Sequence, residues 1–219
     1  MKLITTDPVE LQRKLRNYLG NDPTYKTAYE YTRKRFNEAK HLSAHNWAHI
    51  YRDTLNAIVI GEAEGADMSI VMPAITMHDI GFLYGATGKT HGAMGADRLA
   101  EYLEEGGIDY PTDTIQKMAA CLRTHKGSMH NEKPETLEAK VVADADLLEK
   151  FGPFGVYQFL RVCSEFNISL DVLIDRPETR ADFSLETATG RKLAKPGRQF
   201  VVDFFTELRE AVEPYGAEG

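Results

Sequence analysis

Met77-His78-Asp79-Ile80-Gly81 closes an apolar run that begins at Ile70. The run predicts a buried helix, and Gly81 predicts its stop. Pro73, inside the run, predicts a kink or a late helix start just before the pair. A histidine and an aspartate thus stand at the wall of the interior, where both lose hydration. Such groups are tolerated when something compensates them, and a metal ion is one such partner. The plain alternative is a solvated His-Asp pair at a helix end. The other His and Asp residues of the chain bear on the choice.

The chain around this stretch is ordinary in composition. Its 219 residues are 42% apolar and 27% charged, which suits one soluble domain with a sizeable core. A net charge of -7 argues against a general nucleic-acid binder. Cys121 and Cys163 both lie in apolar helical contexts and read as reduced, buried thiols. The N-terminal residues lack the apolar stretch of a signal peptide, and no apolar run is long enough for a bilayer. A cytoplasmic protein is expected; the oligomeric state is not legible.

Helical patterns run almost throughout, and no alternating strand appears. Asp7-Pro8-Val9-Glu10 opens a helix with Leu11, Leu15 and Leu19 on one face, ending at Gly20. Asp22-Pro23 opens a second, to about Lys40. From Asn46 a third carries Trp47, Ile50, Leu55 and Ile58, broken at Gly65 and Asp67. Beyond Gly81 a glycine-bearing loop precedes helices at about His91 to Glu105, Thr112 to His125 and Pro134 to Lys150. Phe154 to Phe166 and Ser169 to Ile174 look helical too. Asp175 to Arg198 is the least regular segment and is rich in Arg and Lys. It reads as a solvated loop, with an anion-binding cover as the other possibility. A last amphipathic helix carries Phe200, Val201, Phe204, Phe205, Leu208 and Val212. The expected class is all-α: one helical domain over residues 1–219.

Candidate ligands besides His78 and Asp79 are His45, His49, His91, His125, His130, Asp144 and Asp146. Imidazole and carboxylate together suit Zn, Fe, Mn, Ni or Co. A Walker-type loop and a nucleophile elbow are both missing. Spacing alone does not choose the ligand set, because a site assembled from several helices has no fixed register.

Several pieces, in order, resemble the HD superfamily of metal-dependent phosphohydrolases. His45-Asn46-Trp47-Ala48-His49-Ile50-Tyr51-Arg52 is similar to its opening motif. Glu62 to Asp67 resembles the turn before the His-Asp helix, His78-Asp79-Ile80-Gly81 the motif itself, and Glu138 to Asp146 the closing segment. The likeness covers about 44–155, the expected HD core, and implies a helical bundle with a C-terminal helical extension.

The resemblance implies His49, His78, Asp79 and Asp146 as metal ligands, with Asp144 as the fallback for Asp146. His91 and His125 match positions that supply a second ion, bridged by Asp79, so one or two divalent ions are expected. His45 is a candidate for supporting a ligand, while His41 and His130 read as solvated. Hydrolysis of a phosphate ester or anhydride of a nucleotide or another small phosphorylated metabolite follows from the same likeness. Asp79 would orient the attacking water; Arg52 and Lys126 would meet the phosphate, and Lys89 reads as surface charge. Asp53 departs from the family, which has an apolar residue after the Arg, and Gly81-Phe82-Leu83 lacks the glutamate of some nucleotidases. The alternatives are a di-iron oxygenase of HD-domain type and a non-catalytic ligand sensor.

Overall fold

The structure, a computed structural model, describes residues 7–126 and 133–218, with backbone alone at 216–218. His130 and most of the polar loop around it lie outside the described residues. Ten α-helices form the scaffold: α1 Pro8–Asn21, α2 Pro23–Glu38, α3 Trp47–Glu64, α4 Met68–Met77, α5 His91–Glu105, α6 Thr112–Thr124, α7 Leu137–Leu148, α8 Gly152–Phe166, α9 Leu170–Ile174 and α10 Ala188–Val212. Among the described residues, the 3-10 turns Ile80–Tyr84, Pro177–Ala181 and Glu213–Glu218 join them. Among the described residues there is no strand, as the patterning predicts. No helix of the described residues is long and apolar enough to cross a membrane.

Side-chain caps set most helix starts. Asp7, Asp22, Asn46, Asp67 and Thr136 each accept an amide of the first turn that has no partner within the helix. Gly65 ends α3 in the left-handed region at φ 74°, a conformation a Cβ disfavours. Gly81 differs from the expected stop. α4 already ends at Met77, and Gly81 sits inside the following 3-10 turn. A Cβ there would lie 2.1 Å from the His91 carbonyl oxygen, so the glycine lets this turn press against the start of α5. Pro73 does not delay α4, which begins five residues earlier at Met68.

α4 and α7 are buried nearly all round, from Ile70 to Met77 and from Val141 to Leu148. A helix apolar on every side belongs in the middle of a protein. α3 and α6 pack against both, α5 packs on α6 and the Ile80–Tyr84 turn, and α1 and α2 close a smaller cluster of Leu11, Leu15, Tyr25, Tyr29, Ile58 and Met72. Both cysteines are free thiols; Cys121 is buried and Cys163 half-buried.

The C-terminal third is more regular than its composition predicts. Residues 188–198 are the first turns of α10, which packs on α7, α8 and the Pro177–Ala181 turn. Arg176 stays exposed beside Asp175, but the other three arginines of this segment are spent on the backbone. Arg180 donates to the carbonyls of Val172 and Leu173, Arg191 to those of Leu185 and Glu186, and Arg198 to those of Ala181 and Phe183.

The start of α10 is held by Asp144. Its carboxylate accepts the amides of Glu186 (2.8 Å) and Thr187 (2.7 Å) and the Thr187 hydroxyl (2.6 Å). Gly190 leaves the room for this, since a Cβ there would fall 2.3 Å from Asp144 Oδ2. Gly190→Ala is therefore expected to destabilise the fold by about 1–3 kcal/mol through overpacking, despite alanine's better helix propensity. Urea unfolding of the two proteins checks this; a gain in stability would contradict it.

Candidate metal centre

Five helices end at one place. His49 lies in the first turn of α3, and His91 opens α5. His78 and Asp79 follow the last residue of α4, and His125 follows the last of α6. Asp146 stands near the end of α7. All six side chains are buried.

The histidines are oriented by the helices that carry them. His78 Nδ1 donates to the Ile75 carbonyl at 2.7 Å, and His125 Nδ1 to the Leu122 carbonyl at 2.6 Å. Each fills a helix-end acceptor that has no amide. His91 Nδ1 faces the Thr87 carbonyl at 3.3 Å. With Nδ1 protonated, the Nε2 lone pair of each ring points into the centre. His49 Nδ1 is bonded to Glu149 Oε2 at 2.8 Å, which leaves its Nε2 facing the same space.

Asp79 stands between two imidazole pairs. Its Oδ2 is 3.4 Å from both His49 Nε2 and His78 Nε2. Its Oδ1 is 3.3 Å from His91 Nε2 and 3.7 Å from His125 Nε2. Asp146 Oδ1 is 3.6 Å from His49 Nε2. His78 Nε2 and Asp79 Oδ2 are buried without a hydrogen-bond partner. The Nε2 atoms of His91 and His125 stand 2.9 Å apart, two lone pairs face to face. A cation is what such a donor set lacks, and imidazole with carboxylate fits a divalent one.

The electrostatics agree. Burial works to lower the His49 pKa, but Asp53, Asp79 and Glu149 outweigh it and hold the ring well above its ordinary value. Burial would raise Asp79 and Asp146, yet the neighbouring imidazoles, and for Asp146 Lys150 first, keep both carboxyls well below the usual range. Burial pushes His91 well down and His125 down to about 3, so both rings are neutral.

The remaining expected residues go elsewhere. Asp144 points to α10, because residues two apart on a helix face directions about 200° apart. Arg52 does not reach the centre. Its guanidinium clasps Glu149 and lies over the Phe154 ring, 5.2 Å from the centroid, so it supports His49 through Glu149. His45 bonds Glu165 at 2.5 Å, and its ring lies beside those of His49, Phe82 and His91. His41 and Lys89 are exposed.

A cavity of about 240 Å³ opens on the centre, lined by His45, His49, Asp79, His91 and Asp146 and by Lys126, as expected. Lys150, Gln158, Phe159, Phe166 and Phe183 complete it and were not foreseen. Glu149, Lys150 and Asp53 carried a signal in the sequence. They fall three, four and four residues after a predicted ligand, on the same helix face. The α8 residues carried none.

An ion at His49 Nε2 must displace the proton that its acidic neighbours hold there. Metal affinity is therefore expected to rise with pH through neutrality, by up to about tenfold per unit for one displaced proton. Calorimetry of Mn2+ binding in buffers of different ionisation enthalpy should show proton release that shrinks as pH rises. Uptake without proton release would contradict the assignment.

The HD domain family model matches residues 46–150. The uncharacterized protein YpgQ of Bacillus subtilis is 27% identical over 187 residues, spanning 80% of this chain and 88% of its own. Its structure in complex with ADP superposes with a TM-score of 0.59 at 21% identity, over 84% of this chain and 97% of that one. A predicted HD superfamily hydrolase from an uncultured Thermotogales bacterium superposes with a TM-score of 0.57 at 24% identity, covering 87% and 92%. A Lactobacillus plantarum protein reaches 0.70 at 17% identity, covering 88% and 98%. These superpositions speak for the fold. Residues 46–150 hold every side chain that converges at the helix ends, and over these residues the chain carries an HD domain.

Proposed function

We propose that this protein is a metal-dependent phosphohydrolase that splits a phosphate ester or anhydride of a nucleotide or another small phosphorylated metabolite. The observation that carries this reading is the unpartnered pair His78 Nε2 and Asp79 Oδ2, buried beside a cavity that Lys126 and Lys150 line. Lone pairs in want of a cation stand next to two ammonium groups that line the same space. Phosphate held through a divalent ion satisfies both.

The reading includes two ions. His49, His78, Asp79 and Asp146 would hold one; His91, His125 and the other oxygen of Asp79 would hold the second. When bound, such ions bring the pKa of water toward neutrality and draw charge from a phosphoryl oxygen.

The chain's own residues supply the rest. Burial and then Lys150 depress the Lys126 pKa, and a phosphate between the two ammonium groups relieves that repulsion. Lys150 Nζ is 3.6 Å from Asp146 Oδ2 and so stands over the centre. Gln158 Nε2 donates to the Ala44 carbonyl at 3.2 Å, which fixes its amide and leaves Oε1 buried and unpartnered. That oxygen can accept an N–H or O–H of the leaving group. Phe159, Phe166 and Phe183 exclude water and offer flat apolar surface to a nucleobase. The ADP bound by YpgQ supports a nucleotide.

Purified protein with Mn2+ or Co2+ is expected to release phosphate or pyrophosphate from members of a metabolite panel rich in nucleotides. His78→Ala should abolish both release and metal retention. Lys150→Met should lower kcat/KM by about 10²–10³-fold, the typical loss when one preorganised charge-stabilising donor is removed. No release from the panel, with oxygen-dependent turnover by iron-loaded protein, would move the assignment to the di-iron oxygenase.

A further inference from the structure

We propose that Asp53 is a metal ligand, giving the ion at His49 and His78 a third carboxylate beyond Asp79 and Asp146. Asp53 stands one turn after His49 on α3 and is fully buried. Both of its carboxyl oxygens lack a hydrogen-bond partner. Neither form of the group is satisfied by the protein: ionised it lacks donors, and neutral it lacks an acceptor for its own O–H. The nearest donor, His49 Nδ1, is 3.1 Å from Oδ2, but its hydrogen bond goes to Glu149.

Asp53 faces the other ligands. Oδ2 lies 3.8 Å from His78 Nε2, a separation two ligands of one ion can have when each bond is about 2.1 Å. His49, Asp53, His78 and Asp146 each offer a ligand atom within 4.8 Å of the others'. His78 Nε2, which faces Asp53, is itself unpartnered. Two orphaned groups that face one another at 3.8 Å, too far for a hydrogen bond, leave the room a shared cation would take.

A third carboxylate makes the site more anionic and richer in oxygen. That favours the harder ions, Mn2+ above all, over Zn2+, which is content with four ligands.

The inference rests on the metal reading above, and the experiment separates the two. Full-length protein is stripped with a chelator and titrated with Mn2+ and with Zn2+, beside Asp53→Asn and Asp53→Val. Both variants should stay folded by circular dichroism. Each should lose Mn2+ affinity by roughly 10–100-fold, as losses of metal-supporting groups do, and lose less for Zn2+. A crystal of the parent soaked in Mn2+ should place an Asp53 oxygen about 2.0–2.6 Å from the ion, the range for oxygen ligands. Mn2+ affinity in Asp53→Asn within twofold of the parent overturns the inference, as does an Mn2+-loaded crystal with both Asp53 oxygens beyond that range. Should the variants fail to fold, the crystal alone decides. A parent that binds neither ion overturns the metal reading itself.

Discussion

The site depends on how an α-helix ends. The last carbonyls of a helix have no amide of their own. After α4 and after α6 the next residue is a histidine, and each turns its Nδ1–H back onto the carbonyl three residues earlier. The imidazole that satisfies its own helix has one lone pair left, and the bond fixes where it points. Two helices that finish at the same level aim two such lone pairs into one space. The carboxylates of Asp79 and Asp146 reach the same point, where a cation would relieve the crowding of negative charge. The surrounding bundle, with α4 and α7 buried on all sides, keeps those helix ends level.

This logic explains what could be read in advance. His78-Asp79 announced itself because ionisable residues close an apolar run, and the ordered likeness pointed to His49 and Asp146. The helices were legible wherever a cap or a glycine marked them, at Asp22-Pro23, Asn46 and Gly65. The basic stretch before Arg198 was not. Arg180, Arg191 and Arg198 spend their hydrogen bonds on nearby backbone carbonyls, a local use that composition does not distinguish from a solvated surface. Arg52 misled for a related reason: it lies on the right face of α3, but the buried Glu149 takes its guanidinium first. Choosing between Asp144 and Asp146 needed only the angle between neighbours on a helix, together with knowledge of which side α10 occupies.

The far wall of the cavity has a different origin. α8 contributes Gln158, Phe159 and Phe166, and Phe183 comes from the strap that follows. Nothing in the periodicity of α8 says that one of its faces borders a site and another does not. What ties α8 down is a carboxylate: Glu165 takes the amides of Ala44 and His45 and the His45 ring. The same contact shapes the entry to α3, four to five residues before His49, so the cover and the centre share one anchor.

Asp144 gives the arrangement a consequence for the boundary of the domain. It projects from the same turn of α7 as Asp146, and all three of its donors come from residues 186 and 187. A polypeptide trimmed to the matched region, ending at residue 150, would leave this interior carboxylate without donors, bare Phe151's place in the core and release Ala44 from Glu165. What sequence likeness delimits as a module is therefore only part of the packed unit that holds the centre. Any transplant of the centre into another scaffold has to carry the extension with it.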